Sequence, residues 1–419
     1  MGTIYRRGAM LYFGIDWSQD HHNLAIVNES GAQVSRLQFE HSLVGFTRLD
    51  DERRKLGVPA HDCLVAIETA HNLVVDFLLE RGYPVYIIAP QATDGYRNRQ
   101  RRSGAHDDDS DAALLAGILR TDRDSHRCWR PNSPLTQQLL AQIRLIETLR
   151  RSIHRQASQL RTVLLRAYPT AVDLFSDLTS QISLRFLSAY PTAEAAQALS
   201  REAFDAFCRA EGYTRTDMLS KRYAHLVEPA PLSSPAVTQA YQSHVRVLAE
   251  LLLPQIHERQ KALTQLGRLF QMHPDAFIFA SLPGAGELLA PSLLAKFGDD
   301  RARFPAPGDV QALAGTCPVT ERSGKRMVIR FRHGCDKEFR RISQQFAKSS
   351  LGQSGWADAY WHDIRPGCNS DSHALRIVAN RWLAIIWKMW QDRKPYDETY
   401  HLQQRALRRR PRSEPTGKH

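Results

Sequence analysis

The sequence has no apolar run of about 18 residues, the length that a membrane-spanning helix needs. Its N-terminus also lacks a basic segment followed by an apolar one and a small-residue cleavage site, so we expect neither a membrane span nor secretion. The six cysteines are scattered, and no two of them are spaced as a CxxC pair. We therefore expect reduced thiols, no zinc site and a cytoplasmic protein.

The sequence also has fewer acidic than basic residues. The chain has 56 Lys and Arg against 44 Asp and Glu, a formal charge of +12, which favours a polyanionic partner such as nucleic acid. Much of the excess lies in three arginine-rich segments: residues 97–102, 322–341 and 405–412. Arginine forks suit phosphate groups, and no helix-turn-helix, zinc finger or RRM signature accompanies them.

The first 130 residues alternate between short apolar runs and amphipathic segments. Residues 11–27 predict a β-hairpin, and a third strand is predicted at 34–40. A helix at 43–56, a strand ending at Glu68, a helix at 73–81 and a strand at 85–88 follow. Three strands and then alternating helix and strand is the order of an RNase H-like sheet, so we predict an α/β fold here.

Four carboxylates stand at special positions of this predicted domain. Asp16 and Glu68 would leave adjacent central strands at one edge, where sites in open α/β sheets gather. Asp108 and Asp111 are three residues apart at the start of a predicted helix through Leu119, so they share one face of its first turn. Each residue alone is more commonly a turn or helix cap.

Together the four carboxylates favour a metal site over capping. Oxygen ligands of this kind hold pairs of hard cations about 3.5 to 4 Å apart. We therefore predict that Asp16, Glu68, Asp108 and Asp111 bind Mg²⁺ or Mn²⁺.

Residues 131–271 contain two long amphipathic patterns. Leu139, Ile146, Ile153 and Leu160 repeat at intervals of seven, which predicts a coiled-coil-like helix over 135–168. A second long helix is predicted through residues 245–270, with a kink at Pro254. The two could pair within one chain or across a dimer.

The last third contains two turns with glycine. The segment FASLPGAGELLAPSLLAKFGD predicts two helices joined by a tight turn with Gly284 and Gly286, the pattern of a helix-hairpin-helix whose backbone approaches a phosphate. Ser323 lies in the segment ERSGKRMVIRFR, among Arg322, Lys325, Arg326, Arg330 and Arg332. A Ser-Gly pair on its own is usually a plain turn.

Several motifs occur in a fixed order along essentially the whole chain: GIDWS, AIETA, a DxxDA pair, LPGAG, AGTCPVTERSG and KPYDETYH. This ordered set resembles the DEDD transposases of the insertion-sequence family one-ten, described as bridge-RNA-guided serine recombinases. The resemblance implies a RuvC-like domain (1–130) and a C-terminal transposase domain (272–400), which we expect to be mostly helical. The residues themselves predict a helical, coiled-coil-like region with inserted short helices (131–271) and a basic, disordered tail (401–419).

The same resemblance implies a chemistry. Asp16, Glu68, Asp108 and Asp111 would form the DEDD metal site, and Ser323 would attack a DNA phosphodiester to leave a phosphoserine link. The arginine and lysine residues around Ser323 would bind nucleic acid. The implied partners are DNA at the element ends and target, a structured noncoding RNA that reads sequence by pairing, and further copies of the chain as a dimer or tetramer.

Two other functions remain open on the residues alone. The first is a Mg²⁺-dependent RuvC-like nuclease or junction resolvase that uses water, in which Ser323 is a turn residue. The second is a non-catalytic nucleic-acid-binding protein whose acidic residues only cap helices. A covalent protein–DNA adduct would separate the recombinase from the nuclease, and metal-dependent cleavage would separate both from the binder.

Overall fold

The computed structural model describes residues 9–70, 72–90, 93, 96, 108–229, 234–323 and 326–409. The chain divides into two compact units, Met1–Pro131 and Asn132–His419. Among the described residues, no helix is long and apolar enough to cross a membrane.

The first unit is built on a mixed five-stranded sheet of order β3-β2-β1-β4-β5. Strand β1 runs antiparallel to β2 and parallel to β4. This arrangement has the predicted order of strands and helices and is consistent with an RNase H-like domain. The described elements are β1 (Leu11–Asp16), β2 (His21–Asn28), β3 (Gln33–Glu40), α1 (Leu43–Leu56), β4 (Cys63–Ile67), α2 (Leu73–Glu80), β5 (Val85–Ile87) and α3 (Asp108–Asp122).

The central strands β1 and β4 are buried on both faces of the sheet, which explains their continuous apolar sequences. Phe13 and Val65 point into one hydrophobic cluster, with residues of α1 and α2. Tyr12 and Leu64, one position earlier on each strand, point into a second cluster with residues of α3. Side chains alternate along a strand, so a single strand serves both clusters.

The second unit contains two long helices in its first half. Helices α4 and α9 pack along each other within the chain, and Gln255 Nε2 donates to Gln156 Oε1 across them at 2.8 Å. The heptad positions therefore find an apolar partner in the same chain. The described helices here are α4 (Pro134–Ala167), α5 (Gln181–Ala189), α6 (Ala193–Gln197), α7 (Arg201–Ala210), α8 (Leu219–Leu226) and α9 (Pro235–Met272), the last running through Pro254.

The C-terminal part of this unit adds helices and one β-hairpin. Leu139 and Leu266 of the long helices share a hydrophobic cluster with Phe297, Trp382 and Trp390, so residues 132–271 and the C-terminal helices are joined by a common core. The elements are α10 (Ala276–Ala280), α11 (Gly286–Phe297), α12 (Pro307–Leu313), β6 (Val319–Ser323), β7 (Arg326–Arg330), α13 (Lys337–Ser350), α14 (Gly355–Ile364), α15 (Asp371–Asp392) and α16 (Glu398–Arg409).

The expectation of a disordered tail from residue 401 needs correction, because α16 continues to Arg409. Arg405 donates to the carbonyl of Ala359 and to the carboxylate of Asp363 on α14. At the start of α16, Glu398 accepts from the backbone N–H of Trp356 at 2.8 Å. These contacts hold the helix on the unit. Residues 410–419 lie outside the described residues.

Candidate active-site residues

Asp16 and Glu68 lie at the same edge of the sheet. Asp16 is the last residue of β1, Glu68 follows β4 directly, and the parallel register pairs Ile15 with Ile67. The next position on each strand is the carboxylate, so the two side chains leave neighbouring strands at their carboxyl ends. Glu68 Oε1 accepts a hydrogen bond from Thr93 Oγ1 at 3.2 Å, which orients one of its oxygens.

Helix α3 crosses the sheet at this edge because Gly14 has no side chain. A Cβ on Gly14 would lie 1.9 Å from the carbonyl oxygen of Ala112 and 2.5 Å from the amide nitrogen of Ala116. The helix backbone thus rests directly on β1. Asp111 precedes Ala112 in the first turn of the helix, and Gly14 is two residues before Asp16. The close approach therefore brings Asp111 to the end of β1 that carries Asp16.

This placement fits a hard divalent cation by the chemistry of its donors, which are carboxylate oxygens on two strand ends and one helix. The fit is incomplete in the described side chains, where no group of three or more His, Cys, Asp or Glu is arranged to hold a metal ion. Asp108 begins α3, but its side chain lies outside the described residues. Metal binding by these four residues stays a prediction.

A buried imidazole beside Asp16 did not figure in the sequence argument. His22, at the start of β2, is fully buried, and burial, with help from the nearby His41 and His21, lowers its pKa to about 4. Its Nε2 is 2.9 Å from Nδ1 of His41. The ring of Trp17, the residue after Asp16, stacks on His22 at 6.5 Å. The His21-His22 pair after the turn was the available signal. Nδ1 of His22 accepts a hydrogen bond from the Ser18 backbone N–H at 3.3 Å, in the turn that follows Asp16.

Ser323 ends strand β6, in a two-stranded hairpin with β7. The register pairs Ser323 with Arg326, so Ser323 lies at the turn end of the hairpin. Arg322 is exposed beside it. The side chains of Ser323 and Arg326, and all of Gly324 and Lys325, lie outside the described residues. The basic segment 97–102 lies outside them as well.

The other residues predicted to bind nucleic acid have partners of their own. Arg330 pairs with Glu321 across the hairpin at 3.0 Å, an exposed pair that a phosphate can displace. Arg332 Nε donates to the carbonyl oxygen of Cys317 at 3.4 Å. Gly284 and Gly286 both have positive φ, and a Cβ on Gly284 would lie 2.4 Å from the Ser349 carbonyl oxygen. Close packing therefore accounts for Gly284 without a phosphate.

One arginine of the 322–341 segment is engaged away from the hairpin. Arg341 donates to Glu147 on α4 at 3.0 Å, and Arg150 and Arg151 donate to the same carboxylate. The hydrogen bonds from Arg150, with the charges around it, hold the pKa of Glu147 at about 2. Glu147 is buried, and its pairing with Arg341 fixes α13 to α4.

Two family models match the chain. A DEDD model of the IS110 type, described as "Transposase", matches residues 13–169, and "Transposase IS116/IS110/IS902 family" matches residues 276–362. The first segment contains the four acidic residues, and the second contains Gly284, Gly286 and Ser323.

Curated proteins give the same picture. The chain is 30% identical to a mini-circle putative transposase for IS117 of Streptomyces coelicolor, over 93% of this chain and 95% of that protein. It is also 30% identical to the putative transposase y4uE of Sinorhizobium fredii, over 52% of this chain and 68% of that protein. An IS110 insertion-element protein of S. coelicolor is 23% identical over 70% of this chain and 72% of its own length.

Proposed function

Because the chain belongs to the IS110 family and is an insertion-sequence transposase, we propose that it cuts and rejoins DNA through a covalent link to Ser323. We further propose that a divalent metal at the acidic residues assists the reaction, and that a structured noncoding RNA selects the DNA sites. A transposase acts on DNA, and the +12 charge of the chain favours binding to the negatively charged phosphates of DNA.

The observation that carries the proposal is the position of Ser323 at the turn end of the β6–β7 hairpin. The nearest described side chains of the hairpin, Glu321, Arg322 and Met327, are exposed, so a DNA backbone can reach this end of the hairpin. Arg322, the neighbour of Ser323 in the strand, is exposed. A guanidinium group there favours a phosphate near the serine and stabilises the added negative charge of the pentavalent transition state.

In the proposed reaction, Ser323 Oγ forms a bond to phosphorus while the bond from phosphorus to one deoxyribose oxygen breaks. The hydroxyl proton of Ser323 passes to a base, and the departing oxygen takes up a proton. A serine hydroxyl needs such help because it is a weak nucleophile at neutral pH. The phosphoserine ester conserves the bond energy, so a strand hydroxyl can attack it later and reseal the DNA without ATP.

The acidic residues are assigned to the metal. Asp16, Glu68, Asp108 and Asp111 would hold it, and a bound divalent cation would supply charge stabilisation at the phosphate. Asp16 and Glu68 approach from neighbouring strand ends, and Asp111 approaches from the helix that rests on Gly14. Thr93 holds Glu68 in place through its hydroxyl.

The RNA partner and the assembly are proposed on family resemblance and on charge. The described residues include one long arginine-rich helix, α4, and a basic hairpin, which suit a nucleic-acid backbone more than base edges. Selection of sites by pairing with an RNA would leave the protein to grip backbone and shape. Recombination joins two duplexes, so we propose a dimer or a tetramer as the active form.

The test replaces Ser323 by alanine in the full-length protein with its RNA and a DNA site. Ser323→Ala should abolish strand exchange and the covalent protein–DNA adduct, while RNA and DNA binding stay within about twofold, because one small hydroxyl contributes little to stability. Thr320→Ala is the matched control, since it removes an exposed hydroxyl from the same strand. Thr320→Ala should keep full activity.

Two results would favour other accounts. Metal-dependent cleavage by Ser323→Ala without an adduct would support the nuclease or resolvase. An adduct that maps to Tyr360 would identify this residue of α14 as the nucleophile in place of Ser323. Ser343 is a poorer candidate, because it is buried and donates to the carbonyl of Phe339 at 2.8 Å.

A further inference from the structure

An exposed aromatic ring at the base of the β6–β7 hairpin is surrounded by basic groups. Phe331 directly follows β7 and is 40% exposed. The guanidinium carbon of Arg340, on α13, lies 4.3 Å from the centre of its ring, and that of Arg376, on α15, lies 4.8 Å from it. The ring of His333 lies 5.0 Å away. Helices α13 and α15 thus both place an arginine at one exposed ring.

Arg340 is held rigidly at this position. Its Nη2 donates to the carbonyl of Arg332 and lies 2.6 Å from Cys335 Sγ. Room for it exists because residue 315 is glycine: a Cβ there would lie 2.4 Å from the same Nη2. The Nε of Arg340 is buried and has no hydrogen-bond partner among the described residues. The guanidinium is therefore fixed in place before any ligand arrives.

Among the described residues, no carboxylate neutralises the positive charge at this ring. In the described part of the chain, neither Arg340 nor Arg376 forms an ion pair with a carboxylate. The nearby acids Asp336 and Glu338 are both bonded to Lys296, at 2.9 and 2.7 Å. Burial, together with the charge of Arg340, lowers the pKa of Arg376. Two like charges held near one another in this way are stabilised by an anion between or above them.

We propose that Phe331, Arg340 and Arg376 form a binding site for a phosphodiester of a nucleic-acid strand, with the ring of Phe331 packed against a sugar or an unpaired base. The guanidinium fork of Arg376 matches phosphate geometry, and the fixed charge of Arg340 adds to the attraction. The partly exposed ring of Phe331 beside them gives the adjoining nucleoside a surface to stack on. The site rests on the proposed function, because it would bind the strand that the hairpin approaches.

The hairpin sets the spacing between this site and Ser323. Each arm has five residues, and a strand rises about 3.3 Å per residue, so the site lies about 16 Å from the turn end. For a duplex whose axis runs parallel to the hairpin, phosphates of one strand recur every 3.4 Å, so the bound phosphate would be about five nucleotides from the one that Ser323 contacts.

The experiment measures binding by the full-length protein to duplex DNA, single-stranded DNA and single-stranded RNA over a series of salt concentrations. Arg376→Gln should weaken binding about five- to tenfold and lower the slope of log K against log salt by about 0.9 for duplex DNA, the value of one phosphate contact. Arg381→Gln removes the same charge from another side of α15 and is the matched control, with less than a twofold change expected.

Two further variants separate the charge from the ring and guard against misfolding. Arg376→Lys keeps the charge and loses the fork, so it should weaken binding about two- to threefold and leave the salt slope unchanged. Phe331→Leu should reduce affinity for single strands more than for duplex DNA, because only an unpaired base can stack on the ring. Circular dichroism checks that each variant is folded.

The three ligands identify the source of the phosphodiester. A loss of affinity for DNA assigns the site to element or target DNA, and a loss of affinity confined to RNA assigns it to the guide RNA. An unchanged salt slope in Arg376→Gln, or an equal loss in Arg381→Gln, would overturn the site. Because binding needs no bond cleavage, this result stands apart from the fate of Ser323 as nucleophile.

Discussion

Replacing Gly14 by alanine tests the contact that organises the acidic edge. The added Cβ would lie 1.9 Å from the Ala112 carbonyl oxygen, whereas an unstrained carbon–oxygen contact is about 3.3 to 3.6 Å. Helix α3 would have to move away from β1 by about 1.5 Å. The obstructing atoms are helix backbone, which cannot rotate aside as a side chain can.

This movement should be costly both to the fold and to the reaction. Overpacking of a core typically costs about 1 to 3 kcal/mol, and a backbone obstruction places Gly14→Ala at the upper end. With the urea dependence usual for a small domain, the unfolding midpoint of the first unit should fall by about 1 to 2 M. Asp111 would move with the helix, and a displacement of about 1 Å at a reacting site can cost about 100-fold in rate.

Urea unfolding followed by circular dichroism, and strand cleavage measured well below the midpoint, together check this prediction. Gly117→Ala is the matched control on the same helix, because a Cβ there meets nothing within 4 Å. It should raise the stability by about 0.5 to 1 kcal/mol through helix propensity. If Gly14→Ala unfolds at the wild-type urea concentration and cleaves at the wild-type rate, α3 does not rest on β1 as described.

Three further predictions concern the metal, pH and assembly. Asp16→Asn or Asp111→Asn should abolish DNA cleavage with an unchanged circular dichroism spectrum, and chelation of divalent metal should do the same to the wild type; near wild-type recombination by either variant would refute the metal assignment. Hydrogen bonds from Arg150 lower the pKa of Glu147 from 4.5 to about 2. The ionised carboxylate therefore stabilises the folded state above pH 4.5, and this stability is lost as the pH falls from 4.5 to about 2. That contribution is about 2 kcal/mol after allowance for the solvent-exposed Arg150 and Arg151, and Glu147→Gln should remove it from a plot of unfolding free energy against pH; identical plots for both proteins would contradict the prediction. The nucleic-acid-bound form should sediment as a dimer or larger, and a monomer under conditions where recombination proceeds would count against the proposed assembly.

Much of the first unit was predictable from local pattern. The order of strands and helices followed from runs of apolar residues and their period, and α1 occupies the predicted range 43–56. The shared edge of Asp16 and Glu68 followed from strand order alone, because carboxyl ends of neighbouring parallel strands meet at one edge. The length of α4 was equally plain, since its heptad repeat continues up to Pro169.

Other features depend on which distant residues meet, and no local pattern carries that information. The repeat of α4 required an apolar partner but could not distinguish a second chain from α9, which supplies it here. Nothing in the local sequence distinguishes Gly14 from other strand residues, because the backbone of α3 lies against it only in the folded chain. Helix α16 is basic and polar in sequence, yet it is held on the unit because Arg405 donates to α14 and Glu398 accepts from it.

The ring of Phe331 is the sharpest case of this division. By itself the sequence determined that residues 322–341 are basic and contain aromatic side chains. Only the tertiary structure decided that Arg376, from a helix far along the chain, lies with Arg340 at that ring. It also decided that Asp336 and Glu338 form ion pairs with Lys296. The interaction between charges depends on their distance in space. Whether two arginines attract an anion or are neutralised by carboxylates is therefore decided by which residues the fold places beside them.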